Sequence, residues 1–268
     1  MARANRHYIP GHIWHITHRC HKREFLLKFA KDRHRWLRWL FEVRRRFGLA
    51  VLNYMVTSNH IHLIVFDKEG GEVIPKSMQL VAGHTGQQYN KRKRRIGAFW
   101  QDRYHATAIE SGEHLARCLI YVDLNMVRAG VVDHPCKWSF SGYNEIQEPR
   151  GKCKLIAYDQ LRRMLDFDTY DQLRDAHRRW VDEALKDGSS GREARWSESI
   201  AVGSEEFVER TKEELGIRAK GREVREMQGQ FELREPGASY KGHFGPEKGD
   251  IGAENTYFWN NYRDNSDG

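Results

Sequence analysis

Two histidines separated by one residue stand in an apolar stretch of the chain, His60-Ile-His-Leu-Ile64. In a β-strand the side chains at positions i and i+2 leave the same face of the sheet, with their Cα atoms roughly 6.6 Å apart. Two imidazoles at that spacing can bind one metal ion together. Among 14 histidines, a pair of this kind more often serves packing. The pair alone therefore leaves a metal site and a structural role both open.

A polar row on an apolar helix is the second candidate for a functional site. The spacing of apolar residues predicts a helix over 112–127 that is apolar around most of its circumference. One narrow polar row interrupts that surface at steps of three and four residues: His114, Arg117, Tyr121, Asn125 and Arg128. Such a row either faces solvent or lines a site. As a site, it offers a phenol, an amide oxygen and phosphate-binding cations on one surface.

The charge distribution points to a polyanionic partner. Lys and Arg total 45 against 37 Asp and Glu, and residues 1–50 alone carry 13 basic and 3 acidic side chains. A basic front half interleaved with Trp and Tyr predicts binding to nucleic acid, although a solvated Arg-rich surface is the alternative. The candidate contacts are cations for phosphates and one indole for stacking on bases: Arg44, Arg45, Arg46, Lys91, Arg92, Lys93, Arg94, Arg95 and Trp100.

Composition excludes several classes of protein. The four cysteines are widely spread and form no C-x-x-C pair, which argues against a disulfide scaffold and a cysteine-type zinc knuckle. No apolar run is long enough to cross a membrane, and the first residues lack the apolar segment of a secretory signal. We therefore expect a cytoplasmic, nucleoid-associated protein without a membrane partner.

A sheet and several helices must position the candidate groups. Hydrophobic periodicity predicts strands at 12–18, 50–56, 60–66 and 99–109, and helices at 31–47, 73–92 and 112–127. The order fits an α+β fold with a ferredoxin-like antiparallel sheet and helices on one face. We predict one domain over 1–150, a helical C-terminal extension over 151–235 and a disordered tail over 236–268.

The segments around both candidates resemble one family. Val56-Thr-Ser-Asn-His-Ile-His-Leu-Ile-Val65 resembles the histidine-hydrophobic-histidine (HUH) motif of single-tyrosine transposases. Tyr121-Val-Asp-Leu-Asn-Met-Val-Arg-Ala-Gly130 resembles the tyrosine helix of the REP-associated tyrosine transposases in that superfamily. The resemblance spans residues 7–145. It is broken at Met126, where this group usually has proline, and this difference bears on how the helix ends.

The resemblance implies a site and a reaction. It implies one divalent ion, Mg2+ or Mn2+, bound by His60, His62 and Asn125, with the tyrosine helix lying across the histidine face. Tyr121 is then the nucleophile that cleaves single-stranded DNA beside a hairpin of palindromic repeat sequence. The 5′-phosphotyrosine intermediate conserves the energy of the phosphodiester bond, so a 3′-hydroxyl can reverse the step. The family includes monomers and homodimers, and the sequence does not choose between them.

Other functions remain open at this point. Arg117 and Arg128 are candidates to contact DNA and to offset the high pKa of the Tyr121 phenol. A DNA-binding regulator that no longer cleaves and a metallohydrolase that uses water as nucleophile are the alternatives. The complete set of two histidines, tyrosine and asparagine favours cleavage over the regulator. Imidazole and amide ligands also suit zinc or nickel, so the preference for Mg2+ or Mn2+ comes from the resemblance alone.

Overall fold

The computed structural model describes residues 9–68, 72–188, 191–227 and 229–235. The predicted tail at 236–268 lies outside these residues. The described ranges contain seven strands: Ile13–Arg19 (β1), Ala50–Val56 (β2), His60–Phe66 (β3), His105–Ile109 (β4), Ala201–Gly203 (β5), Glu223–Met227 (β6) and Gln230–Arg234 (β7). They also contain nine α-helices: Ala30–Phe47 (α1), Val73–Lys93 (α2), Glu113–Asp123 (α3), Asn125–Arg128 (α4), Gly142–Gln147 (α5), Tyr158–Met164 (α6), Tyr170–Lys186 (α7), Arg195–Glu198 (α8) and Glu205–Leu215 (α9). In these ranges no helix has the length and apolar character that crossing a membrane requires.

The first four strands form an antiparallel sheet in the order β2-β3-β1-β4. With helices after β1 and β3, this is the ferredoxin-like arrangement, and the predicted α+β class is confirmed. The register pairs Thr17 with His62 and His15 with Ile64. Directly opposed residues share a face of the sheet, so His15 and Thr17 lie on the same face as His62.

Helices cover both faces of this sheet, whereas the sequence analysis predicted helices on one face only. On the face opposite His62, the Trp100 ring stacks on His18 and its indole N–H donates to the Ala82 carbonyl of α2, 3.0 Å away. Helix α1 packs on α2. On the histidine face, the Asn53 amide donates to the Asp123 carboxylate of α3, 3.0 Å away. The tyrosine helix therefore lies across the histidine face, as the resemblance implies, while α1 and α2 cover the other.

The extension lengthens the sheet as well as adding helices. Its strands continue the order to β2-β3-β1-β4-β5-β7-β6. Strand β5 pairs with β4 in parallel through Ala108 with Ala201 and Ile109 with Val202. Gly203 at the end of β5 allows α9 to pack closely, because a Cβ atom there would stand 2.5 Å from the Phe207 ring. The predicted helices are present, but the sequence analysis missed three strands of three to five residues each.

Two predicted boundaries were wrong. The strand predicted at 99–109 begins at His105, because Trp100 makes a single bridge to Cys20 and then packs on His18. The helix predicted at 112–127 is interrupted at Leu124, whose ψ of 4° ends α3 and starts α4. Asn125 therefore begins a new short helical turn instead of continuing the tyrosine helix.

One hydrophobic core joins the two halves of the sheet. Ile16 and Leu63 of the first four strands belong to the same buried cluster as Val202 and Leu233 of the extension. Trp196 of α8, with none of its surface exposed, belongs to it too. Burial of this shared surface stabilises both halves together.

Candidate active site

The two histidines of β3 and the asparagine of α4 converge on one point. The Asn125 amide nitrogen lies 3.0 Å from His62 Nε2 and 3.5 Å from His60 Nε2. The two imidazole rings are 5.0 Å apart and nearly perpendicular. An amide N–H donates to a nitrogen lone pair, so both Nε2 atoms present lone pairs to this point. The structure thus brings together the three residues that the sequence analysis grouped as ligands.

These donors fit a divalent cation. In the part of the chain that the structure describes, no cluster of three or more His, Cys, Asp or Glu side chains has metal-binding geometry. The set here differs, since it combines two imidazoles with one carboxamide. Rotating the Asn125 amide by a half turn exchanges Nδ2 for Oδ1 and directs an oxygen toward both Nε2 lone pairs. Two nitrogen donors and one oxygen donor suit several divalent ions.

His60 is oriented by its own hairpin. Its Nδ1 lies 2.7 Å from the Asn59 carboxamide oxygen and 3.0 Å from the Thr57 hydroxyl, which itself donates to the His60 carbonyl. An amide oxygen only accepts, so His60 Nδ1 carries the hydrogen and Nε2 the lone pair. Burial, together with the nearby charge of Arg19 and Arg128, lowers the pKa of His60 to about 3. The ring is therefore neutral at pH 7.

His62 is oriented by a histidine that the sequence analysis did not select. His15 Nε2 lies 2.9 Å from His62 Nδ1, and the two rings stack with centroids 5.1 Å apart. His15 Nδ1 in turn lies 2.7 Å from the Trp196 carbonyl oxygen. Burial lowers the pKa of His15 to about 3 and that of His62 well below its ordinary value. Both rings are neutral at pH 7.

Tyr121 stands beside the histidines on α3. Its ring centroid is 5.9 Å from that of His62 and 6.3 Å from that of His15. The Arg128 guanidinium lies 4.2 Å from the Tyr121 ring centroid and donates to the Tyr121 carbonyl oxygen, 2.6 Å away. Burial raises the pKa of Tyr121, and the charges of Arg128 and Arg192 oppose that rise. The phenol is therefore protonated at neutral pH and lies beside a fixed cation.

Arg19 is a further cation that the sequence analysis missed. It ends β1 and is paired in register with His60. Its charge lowers the pKa of His60, and it interacts electrostatically with Tyr121. Burial lowers the pKa of Arg19 itself to about 10, which leaves it charged at pH 7. Arg19 and Arg128 together give this corner of the sheet the positive charge that a phosphate needs.

The extension holds α3 in place and covers the tyrosine. The fully buried Asp123 accepts hydrogen bonds from the Asn53 amide at 3.0 Å and from His177 Nε2 of α7 at 2.8 Å. The Trp196 ring centroid lies 6.2 Å from that of Tyr121. As a result, Tyr121 is only 6% exposed.

The predicted phosphate contacts on α1 and α2 lie on the two helices that cover the opposite face of the sheet. Helices α1 and α2 are antiparallel, since Arg92 near the end of α2 pairs with Asp32 near the start of α1. The basic clusters at 44–46 and 91–95 therefore occupy opposite ends of the helix pair, about 20 Å apart at 1.5 Å per residue. Arg45 and Arg46 both pair with Glu42, at 3.0 and 3.4 Å.

Two other predicted contacts have partners within the protein. Arg117 is exposed on α3 and pairs with Glu113 one turn earlier. The Trp100 ring, predicted to stack on bases, stacks instead on His18 with centroids 4.0 Å apart. The structure therefore gathers Arg128 at the site but leaves Arg117 and Trp100 outside it.

Comparison with known protein families agrees with the site geometry. Residues 9–125 match the model of the family described as "Transposase IS200 like". Residues 9–125 are called the IS200-like domain below, after the family that they match. The matched range contains His60, His62, Tyr121 and Asn125, together with His15. The range therefore holds the three candidate ligands and the tyrosine, whereas Arg128 lies three residues beyond it.

Two solved structures are similar to the chain. A REP-associated tyrosine transposase bound to a REP hairpin is 22% identical, with 54% of this chain and 84% of that chain covered and a TM-score of 0.46. A putative transposase from Deinococcus radiodurans R1 is 14% identical, with 44% of this chain and 91% of that chain covered and a TM-score of 0.32. No curated protein matched the sequence. The chemistry of the IS200-like domain must therefore be argued from its own residues.

Proposed function

We propose that the IS200-like domain cleaves and rejoins single-stranded DNA through a covalent bond between Tyr121 and a 5′-phosphate. One observation carries this proposal: two imidazole lone pairs and a carboxamide converge beside a buried tyrosine. The ring centroids of Tyr121 and His62 are 5.9 Å apart. A protein that only binds DNA gains nothing from this combination. A water-based hydrolase would not need the tyrosine.

Three side chains provide the metal ligands in this proposal. Nε2 of His60, Nε2 of His62 and the amide oxygen of Asn125 are the donors. When bound there, Mg2+ or Mn2+ supplies positive charge that offsets the charge developing on the scissile phosphate. The two imidazole lone pairs are already aimed at one point. Binding then requires only the half-turn rotation of the Asn125 amide that directs its oxygen to the same point.

Tyr121 carries the covalent step. Its oxygen attacks phosphorus, the bond from phosphorus to the 3′-oxygen breaks, and the departing oxygen takes up a proton while the phenol loses one. The bond count is unchanged, so a 3′-hydroxyl can attack the phosphotyrosine and rejoin the strand without ATP. Arg128 and Arg19 support both directions, because their charge stabilises a phenolate and the phosphate oxygens.

DNA has to displace part of the cover to reach the tyrosine. Tyr121 is 6% exposed, and Trp196 of α8 stands over its ring. The scissile phosphate therefore approaches after side chains of the extension have moved aside. We therefore expect covalent attachment to be slower than DNA binding.

The substrate that we propose is hairpin DNA with a single-stranded segment beside it. The resemblance of residues 121–130 to the tyrosine helix of REP-associated transposases supports a folded palindromic repeat. The basic ends of α1 and α2 can contact the phosphates of a duplex stem. We further propose action in the cytoplasm, at the nucleoid, by a monomer or a homodimer.

A covalent-adduct assay tests the function. Hairpin oligonucleotides made from inverted repeats flanking the gene are labelled and incubated with the protein and MnCl2. Labelled protein should appear on a denaturing gel for the wild type and for Tyr89→Phe, which removes a phenol from α2. Tyr121→Phe should bind the same hairpins without forming the adduct.

Three results would overturn the proposal. Cleavage by Tyr121→Phe at the wild-type rate would exclude the tyrosine as nucleophile. Free 5′-phosphate product without an adduct would indicate water as nucleophile. Hairpin binding by the wild type with no cleavage would favour a regulator.

A further inference from the structure

A chain of hydrogen bonds connects the extension to the candidate metal ligands. It starts at the Trp196 carbonyl oxygen, 2.7 Å from His15 Nδ1. It continues from His15 Nε2 to His62 Nδ1 over 2.9 Å. It ends at His62 Nε2, which faces the Asn125 amide at 3.0 Å. Each imidazole in this chain uses both of its ring nitrogens.

The first group of the chain determines where every proton lies. A carbonyl oxygen only accepts, so His15 Nδ1 must carry a hydrogen. His15 has none of its surface exposed, and burial favours the neutral ring. A neutral ring with hydrogen on Nδ1 has a lone pair on Nε2, so His62 Nδ1 must donate to it. His62 is then left with a lone pair on Nε2, which is the atom aimed at Asn125.

We propose that His15 is a positioning residue that fixes His62 in its metal-binding tautomer, with the extension imposing this choice through the Trp196 carbonyl. The inference rests on the proposed metal site. Without that carbonyl, His15 can carry its hydrogen on Nε2 and donate it to His62 Nδ1. The hydrogen of a neutral His62 would then sit on Nε2, where it blocks coordination. Outer partners of metal-bound histidines typically contribute 10- to 100-fold in metal affinity.

The tautomers can be read directly in the full-length, metal-free protein. Long-range proton–nitrogen NMR spectra distinguish a protonated ring nitrogen from one with a lone pair. We expect His15 and His62 both to carry hydrogen on Nδ1. A wild-type His62 with hydrogen on Nε2 would overturn the proposal without any mutation.

Substitution of His15 tests the consequence for binding. In His15→Phe the acceptor for His62 Nδ1 is lost, so we expect a mixed His62 tautomer and Mn2+ affinity about 10- to 100-fold weaker by calorimetry. His15→Gln offers an amide oxygen as acceptor and should restore part of the affinity. An unchanged His62 tautomer and Mn2+ affinity in folded His15→Phe would overturn the proposal. If His15→Phe does not fold, the wild-type spectrum and His15→Gln decide.

His105 provides a matched control. Its Nε2 lies 3.0 Å from the Ser199 carbonyl oxygen, so it also joins the sheet to the segment that carries Trp196. His105→Gln should keep the wild-type His62 tautomer and Mn2+ affinity. A loss of Mn2+ affinity as large as that of His15→Phe would mean that anchoring of the segment, and not the tautomer, controls the site.

These measurements are made without DNA, so they test the role of His15 separately from the proposed strand transfer. A protein with the expected tautomers that binds Mn2+ but forms no covalent adduct overturns the proposed function and supports the role of His15. A protein that forms the adduct with His62 in the other tautomer overturns the role of His15 and supports the function.

Discussion

Residues 9–125 and residues 151–235 contribute different things to the site. The first range holds the proposed metal ligands and the tyrosine, and it orients His60 through the neighbouring Asn59. The second range orients the rest: the Trp196 carbonyl reaches His15 across 181 positions of sequence, and His177 holds Asp123 of the tyrosine helix. The proposed ligands and the tyrosine thus come from one segment of the chain, whereas contacts from both that segment and the extension hold them in position.

Truncation after residue 150 should give the largest effect. It removes Trp196, Val202 and Leu233 from the common core and leaves β4 without its neighbour β5. We expect the truncated chain to lose its cooperative thermal transition in circular dichroism, because the exposed core surface no longer contributes burial energy. A cooperative transition near the wild-type temperature would instead support the independent domain predicted over 1–150. It would contradict the conclusion that the fold of the site depends on the extension.

Loss of His177 should give the next largest effect. His177→Ala removes one of the two hydrogen-bond donors of the buried Asp123 carboxylate, and leaving a buried charged group short of a donor costs about 3 kcal/mol in the free energy of unfolding. Arg174, on the same helix, pairs with Asp171 at the surface at 3.0 Å. Arg174→Ala should cost less than about 1 kcal/mol. Equal losses for both variants in urea unfolding would mean that α7 does not hold the tyrosine helix through Asp123.

Loss of Asn59 should have the smallest effect on stability and a local effect on the site. Asn59→Ala removes one acceptor from His60 Nδ1, but the Thr57 hydroxyl stays 3.0 Å away. We therefore expect Mn2+ affinity to fall by about 10-fold, at the low end of outer-partner effects. Asn59→Asp keeps an acceptor oxygen and should bind Mn2+ nearly as the wild type does. Unchanged Mn2+ affinity in Asn59→Ala would show that the hairpin does not need this contact to orient His60.

Local periodicity explains what the sequence predicted well. Strands β2 and β3 begin and end at the predicted residues, because two short, largely apolar runs and the turn between them define both strands without distant partners. The same rules place His60 and His62 on one face and Asn125 one turn beyond Tyr121. These four residues lie close together because α3 packs across the face of the sheet that carries the two histidines.

Contacts between distant segments explain what the sequence analysis missed. His15 meets His62 through a register between strands 47 positions apart, and no local pattern defines such a register. A signal was present in β1, where His15, Thr17 and Arg19 put polar groups on one face of a largely buried strand. Strand β5 has three residues, too few for any periodicity to be measured.

The acceptor for His15 is a main-chain oxygen, and every amino acid carries one. Exchanging Trp196 for another large apolar residue therefore alters packing and spares the link to His62. Inserting or deleting a residue between Arg192 and Ala201 would instead move that oxygen out of reach. Across related chains, this link would show itself as a constraint on loop length and leave the identity of the residue free to vary.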